Sequence, residues 1–362
     1  MRENLVVYVK PTESCNLNCL HCYNRVGNDS AFLSLERLEK FLGSMSIYYG
    51  ERDIDLGVEV IIHGGEPMLC EVEFLKDMVN LWKFALPFAD LVFSMQSNLV
   101  LLNENWVSFI REYLDGIIGT SYSPGLRFVG YDEYAEEIWL KNLDMALHNG
   151  LRLYFVVTLG RKFLKEKEPE DLLNFLLRYK AYSFHLEPLT KNGKAEMNWD
   201  KISVSPEEYD NWKARFFELF VKEKAYKVIP RPLLVDKAKT FYDGVFVGCS
   251  SRDCMKRTLT INADGSVGGC PNVARLYIYG TLDDEFSVVW NSDLRKEMMA
   301  KERLKRNECL NCEFISVCNG SCMWLDGCYE GKKFFATVKR LIEEDKDFAE
   351  YLKSYERLTV FH

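Results

Sequence analysis

The sequence predicts an α/β protein built on a parallel sheet, and three observations carry that reading. Apolar runs of strand length recur six times between Leu5 and Leu189. A helical pattern separates each run from the next, which is the crossover that parallel neighbours require. Turn-rich and cysteine-rich sequence begins only after that series. In order, LVVYV (Leu5–Val9) is the first strand, and Ser34 is placed to cap a helix over LERLEKFLGSMSIYY. VEVIIHGG is the second strand, with a helix over Glu73–Phe84, and LVFSMQS is the third, with a helix over Glu104–Tyr113. GIIGTSYS is the fourth, followed by a long helical pattern, Glu133–His148. LRLYFVVTL has the strongest strand signal, Pro169 opens the next helix, and SFHLEPL (Ser183–Leu189) ends the series. Ligands of such sheets lie at the carboxyl ends of the strands.

Composition excludes several classes. The chain has 362 residues, 48% of them hydrophobic, enough for a large core and a smaller appended domain. A net charge of -8 repels nucleic-acid phosphates, and the one basic run, KERLKR (Lys301–Arg306), is short and reads as a solvated helix face. No apolar run approaches the roughly 20 residues of a membrane span, and Pro11 ends an N-terminal apolar run too short for a signal peptide. The expected compartment is the cytoplasm, where 12 cysteines hold metal rather than form disulfides.

Beyond Leu189, TKNGKAEMNWD is polar and turn-rich, Ser205 and Pro206 open a helix, and IPRP breaks it. TLTINADGSVGG reads as a hairpin turned at Asp264–Gly265, and an amphipathic helix over about Lys332–Leu352 closes the chain. Little other apolar periodicity is present, so metal is expected to supply much of what a core otherwise would.

The cysteines fall into two sets. Cys15, Cys19 and Cys22 form a C-x3-C-x2-C run just after the first strand. Three thiolates on a 4Fe–4S cluster leave one iron open to a ligand, whereas the spacing is also near many zinc patterns. His63-Gly64-Gly65-Glu66-Pro67 stands at the end of the second strand. There two glycines allow close backbone approach and Glu66 offers acceptors to an ammonium group, although such a run is also an ordinary turn. The second set is Cys249, Cys254, Cys270, Cys309, Cys312, Cys318, Cys322 and Cys328. Eight thiolates suit two closed 4Fe–4S clusters or, read by their C-x2-C pairs, structural zinc. Cys70 is left over and reads as a buried thiol.

CNLNCLHC and GGEP together resemble the signatures of radical S-adenosylmethionine (SAM) enzymes, and the second cysteine set resembles their SPASM domain. The resemblance implies a partial (β/α)6 TIM-like barrel over 1–190, a connecting helical segment over 191–245, a SPASM domain over 246–330 and a terminal helix over 331–362. It further implies that Cys15, Cys19 and Cys22 hold the SAM-binding cluster, that Gly64, Gly65 and Glu66 position SAM's methionine end, and that Ser121 contacts its ribose. His21 stands where the family usually has an aromatic residue. One auxiliary cluster would take Cys249, Cys254, Cys270 and Cys322, and the other Cys309, Cys312, Cys318 and Cys328. Gln96, in MQSN where Leu99 replaces a family glycine, and Glu187 are candidates on the substrate side; either also reads as a structural polar group.

The implied reaction is reductive cleavage of SAM to a 5′-deoxyadenosyl radical, which takes hydrogen from a peptide to build a thioether, a carbon–carbon cross-link or an epimerised centre. A flavodoxin or ferredoxin would supply the electron, and a separate protein would bind any leader peptide. The closing CYEGKKFF helix resembles that of the anaerobic sulfatase maturases. Those enzymes carry an aspartate base where this chain has Pro271, which cannot accept a proton. Oxidation or cross-linking of a small molecule or modified nucleotide is the second enzyme reading, and a zinc or iron–sulfur electron carrier the non-enzymatic one.

Overall fold

The computed structural model describes residues 2–24, 31–52, 54–128, 134–304 and 307–357. Strands and helices alternate through its first half: β1 (Arg2–Val9), α1 (Leu35–Gly50), β2 (Asp55–Ile62), α2 (Val72–Ala85), β3 (Asp90–Met95), α3 (Glu104–Tyr113), β4 (Ile117–Tyr122), α4 (Ala135–His148), β5 (Arg152–Thr158), α5 (Arg161–Glu166), α6 (Pro169–Arg178) and β6 (Ser183–Glu187). Glu133, at the expected start of α4, lies outside the described residues, as do Lys305 and Arg306 of the basic run.

Within this series β1 pairs parallel with β2 and β2 with β3, while β4, β5 and β6 form a second parallel set. A parallel bridge between Gln96 and Gly119 joins the two sets, strengthened by Ser97 N–H donating to Gly119 O at 3.0 Å. A Cβ on Gly119 would lie 2.1 Å from Gln96 Oε1, so glycine here leaves room for the Gln96 amide beside the seam. The result is the partial barrel.

The two faces of the strands differ. In α1, Leu38, Phe41, Leu42 and Met45 follow helical spacing and are buried in one core with Val7, Val58 and Val60 of the sheet. Along β5 and β6 the residues facing that core, Leu153, Phe155, Val157, Phe184 and Leu186, are buried. Tyr154, Val156, His185 and Glu187 alternate with them and are only partly covered, because they line the inside of the barrel.

The second half comprises α7 (Lys194–Ile202), α8 (Pro206–Lys222), α9 (Leu233–Asp243), α10 (Cys254–Arg257), β7 (Thr258–Ile261), β8 (Ser266–Gly268), β9 (Ile278–Thr281), α11 (Phe286–Trp290), α12 (Asp293–Arg303), α13 (Asn307–Leu310), α14 (Ile315–Cys318), α15 (Lys332–Glu344) and α16 (Lys346–Ser354). Ser205 caps α8 by accepting from Glu208 N–H, and Glu208 reciprocates. The hairpin turns at Asp264–Gly265 as expected, with Gly265 at φ +86°.

Three features depart from the sequence expectations. The polar stretch after Leu189 contains a helix, α7, because its first N–H groups have a partner outside the helix: Lys194 N–H donates to Cys22 O at 2.9 Å. The terminal helix is two helices, since Asp345 leaves helical geometry and caps α16 through Phe348 N–H. The cysteine-rich region also does not lack a core. β7 lies parallel to β1, so the order β3-β2-β1-β7-β8-β9 extends the barrel sheet, and Leu259, Ile261, Val267, Phe286 and Val289 belong to the same apolar cluster as the barrel.

Candidate cluster sites at the strand ends

Cys15, Cys19 and Cys22 lie in the loop that leaves β1, and the turn leaving β2 packs against the start of that loop. His63 N–H donates to Val9 O, Gly65 N–H to Thr12 O and Glu66 N–H to Ser14 O, at 2.8, 2.9 and 2.8 Å. Backbone packing alone therefore requires glycine at both positions. A Cβ on Gly64 would meet Thr12 O at 2.4 Å, and one on Gly65 would meet Ser14 O at 1.9 Å. Gly65→Ala is expected to cost about 3 kcal/mol or more, because neither backbone can yield without moving the cysteine loop. A urea-unfolding midpoint checks this, and a wild-type midpoint would contradict it.

Glu66 is 1% exposed and accepts three hydrogen bonds, from Met68 N–H at 3.0 Å, Ser97 Oγ–H at 2.7 Å and Asn98 N–H at 2.7 Å. Burial raises its pKa, and those donors pull it back. A carboxylate has about four lone-pair sites, so one remains for a further donor. Asn98 also donates through Nδ2 to Asn16 Oδ1 at 2.6 Å, tying the third-strand loop to the cysteine loop.

Ser121 and Gln96 meet, Gln96 Nε2 donating to Ser121 Oγ at 3.3 Å. Gln96 thus helps to close the β3–β4 seam as well as facing the barrel interior. Leu99 is fully buried at φ +60°, a left-handed conformation that costs a non-glycine residue about 1–2 kcal/mol. Its burial outweighs that strain. Leu99→Gly is expected to lower stability by about 1–3 kcal/mol, measured by chemical denaturation; a gain would mean that strain dominates.

Arg127 belongs to no motif of the sequence. It is 5% exposed, donates from Nη1 to Ser121 O and from Nη2 to Asn98 O at 3.0 Å, and hydrogen-bonds the Cys19 thiol. Burial depresses its pKa, whereas the adjacent Cys19, Glu66 and Cys15 favour its charge. The only signal was its position just beyond the fourth strand. Lys10, 1% exposed, sits on the other side of the loop, donating to Asn24 Oδ1 at 2.8 Å, while Asn24 Nδ2 donates to Gly64 O at 2.6 Å. His21 and His63 are held neutral, both pushed down to about 4 by burial, with Arg127 adding to the effect on the first and Lys10 on the second.

The other eight cysteines are brought together in two groups. Cys249, Cys254, Cys270 and Cys322 line one small pocket with Arg252, Glu302 and Trp324. Glu302 accepts from Cys254 N–H at 3.0 Å and Met255 N–H at 2.9 Å. Cys309, Cys312, Cys318 and Cys328 are close enough for Cys328 to feel Cys309 and Cys312, and for Cys318 to feel Cys328. Cys70 is buried apart from both groups and near Glu66.

The donor chemistry fits iron–sulfur clusters. Burial pushes Cys15 up to about 12, Cys22 to about 11, Cys270 and Cys318 to about 12, and raises Cys19 and Cys328. Such thiols become thiolates only against bound positive charge, which a cluster supplies. Among the described residues, no three Cys, His, Asp or Glu side chains converge tightly enough for a single metal ion.

Residues 249–313 match the SPASM iron–sulfur cluster-binding domain. The chain is 21% identical to a cysteine-type anaerobic sulfatase-maturating enzyme of Clostridium novyi, over 88% of each chain. It is 24% identical to a serine-type anaerobic sulfatase-maturating enzyme of Bacteroides thetaiotaomicron, over 88% of this chain and 82% of that one. In fold it resembles anSMEcpe solved with bound AdoMet and the Cp18Cys peptide, at 17% identity and a TM-score of 0.75, covering 98% of this chain and 100% of that one. It also resembles Streptococcus suis SuiB bound to its precursor peptide SuiA, at 16% identity and a TM-score of 0.60, over 88% of this chain and 71% of that one. No helix among the described residues is long and apolar enough to cross a membrane.

Proposed function

We propose that this chain is a radical SAM enzyme with a SPASM domain, using 4Fe–4S clusters and SAM, and that its substrate is a peptide from which it abstracts hydrogen in a post-translational modification. One observation carries the reading: three cysteine thiols share a strand end with a buried carboxylate that keeps an acceptor free, while eight further thiols form two separate groups. Cys15, Cys19 and Cys22 hold the SAM-binding cluster, and the two groups of four hold auxiliary clusters. When bound, the first cluster supplies the electron that cleaves SAM to methionine and a 5′-deoxyadenosyl radical.

The chain's own residues position and insulate that chemistry. Glu66 accepts the SAM ammonium with its remaining lone pair, and Gly64 and Gly65 hold that carboxylate against the cysteine loop. Ser121 presents a hydroxyl to the ribose. Arg127 offsets the negative charge gathered by three thiolates and Glu66 in a site of low dielectric. Peptide ligands of the similar proteins anSMEcpe and SuiB support the substrate class. Pro271 leaves no base beside Cys270, which favours thioether, carbon–carbon or epimerisation products over formylglycine.

The test is anaerobic reconstitution with iron and sulfide, metal analysis, then SAM, a strong reductant and synthetic peptides. Expected are iron without stoichiometric zinc, release of 5′-deoxyadenosine, and a peptide of changed mass. Zinc in place of iron, or peptides unchanged while a small-molecule fraction is modified, would overturn the proposal.

A further inference from the structure

Arg252 stands between the two later cysteine groups. In sequence it falls between Cys249 and Cys254, both of the first group, and its side chain helps to line the pocket that those cysteines share with Cys270 and Cys322. The chain crosses from one group to the other at Asn319, Gly320 and Ser321, which join Cys318 of the second group to Cys322 of the first. Arg252 Nη1 donates to Ser321 O at 3.4 Å, and Asn319 Nδ2 donates to Ser250 O at 2.9 Å, so this crossing lies directly against the Arg252 segment. A Cβ on Gly320, whose φ is +89°, would stand 3.0 Å from Arg252 Nη1 and 3.9 Å from Cys309 Sγ. The guanidinium and a thiol of the second group therefore flank one point, which glycine keeps open.

The hydrogen bonds of this guanidinium leave its charge uncompensated. Its acceptors are carbonyls, Ser321 O for Nη1 and both Glu302 O and Leu304 O for Nη2. Among the described residues no carboxylate pairs with it: Asp253 pairs with Arg257 at 2.9 Å, and the Glu302 carboxylate in the same pocket accepts from Cys254 N–H and Met255 N–H. Nε–H is buried and, among the described residues, has no acceptor. The side chain reaches this place from a left-handed backbone, φ +54°, which non-glycine residues seldom adopt. A buried donor without an acceptor and a cation without a counter-ion are both costly, and one anionic group held by the neighbouring thiolates would satisfy the two together. Hydrogen bonds to sulfur and nearby charge also set the potential of an iron–sulfur cluster.

We propose that Arg252 is a cation shared by the two auxiliary clusters and that it raises the reduction potential of both. This rests on the cluster assignment above and not on the choice of substrate. A closed cluster on four thiolates is anionic and becomes more so when it takes an electron, so a fixed cation beside it favours the reduced state. The unused Nε–H is available as a donor to sulfur on the side of the first group, and the Nη1 end supplies charge to the second group beside Gly320. Each auxiliary cluster then accepts one electron from a given reductant more readily, with no bond made or broken at Arg252.

The test is a redox titration of the reconstituted holoenzyme followed by electron paramagnetic resonance. The cluster whose signal changes on adding SAM is set apart, and the midpoints of the remaining signals are read. Arg252→Met keeps an apolar stem and removes both charge and donors. It is expected to lower both remaining midpoints by about tenfold in each reduction equilibrium, or about 59 mV for one electron. Arg252→Lys keeps the charge without the planar donors and should fall between Arg252→Met and the wild type. The SAM-responsive midpoint should not move. An arginine that only ties loops together would cost iron or stability when replaced, yet any cluster still bound would titrate at its wild-type potential. Wild-type midpoints in Arg252→Met, or a shift in one auxiliary cluster alone, therefore overturn the assignment. So does failure of both variants to load auxiliary iron, which would make Arg252 a folding residue. If the wild-type holoenzyme shows no signal beyond the SAM-responsive one, the two-cluster reading itself fails and the assignment with it.

Discussion

A reconstituted Cys19→Ala protein is expected to release no 5′-deoxyadenosine above the protein-free background and to hold about four fewer iron atoms per chain than the wild type. Cys15, Cys19 and Cys22 are the only thiols on the β1 exit loop, and a cluster held by two of them loses both its anchorage and the geometry that presents its open iron. Arg127 adds a second effect, because its buried guanidinium hydrogen-bonds Cys19 and would lose that thiolate. Removing one partner of a buried charge pair strands the other. The two auxiliary groups share no residue with this loop, so their iron should remain. Iron content and 5′-deoxyadenosine are measured together. Wild-type release by Cys19→Ala would show that Cys19 is not a ligand, and loss of all iron would show that the three groups do not load independently.

The second large effect is structural. Glu330 is 6% exposed and bonds two buried lysines, with Lys237 Nζ at 2.6 Å and Lys213 Nζ at 3.4 Å from Oε2. Lys213 also donates to Glu330 O at 3.0 Å. The two cations favour the ionised carboxylate strongly enough to hold it down to about 2 against burial. Glu330→Gln leaves both lysines buried with no compensating charge and is expected to destabilise the fold by about 3–5 kcal/mol. Urea unfolding under anaerobic conditions measures it; a change below about 1 kcal/mol would mean that water or Asp210 compensates the pair. The triad joins α8, α9 and the segment after Cys328, so the same variant should weaken iron binding by the second auxiliary group.

Much of the site was legible because its chemistry is written in short range. Cys15, Cys19 and Cys22 occupy one loop, and Gly64, Gly65 and Glu66 follow directly on a strand, so their common edge follows from the alternation of strands and helices. Glu187 was placed facing the cavity by the same argument. Arg127 and Arg252 were not found, since nothing local distinguishes an arginine that packs beside cysteines from a surface one. Their roles depend on partners distant in the chain, Cys19 for the first and Ser321 for the second. The glycines of the HGGEP turn were expected to admit a ligand, and the structure adds a further reason for them, the backbone of Thr12 and Ser14 lying against them.

By itself the sequence determined the six parallel strands, the hairpin at Asp264–Gly265 and which thiols are chemically available, because strand period, turn residues and cysteine identity are local properties. Only the tertiary structure decided that β7 extends the barrel sheet through β1 and that α7 forms against the Cys22 carbonyl. Those outcomes depend on backbone hydrogen bonds and packing between segments far apart in the chain. Such contacts are settled when buried donors must all find partners and apolar faces must share one core.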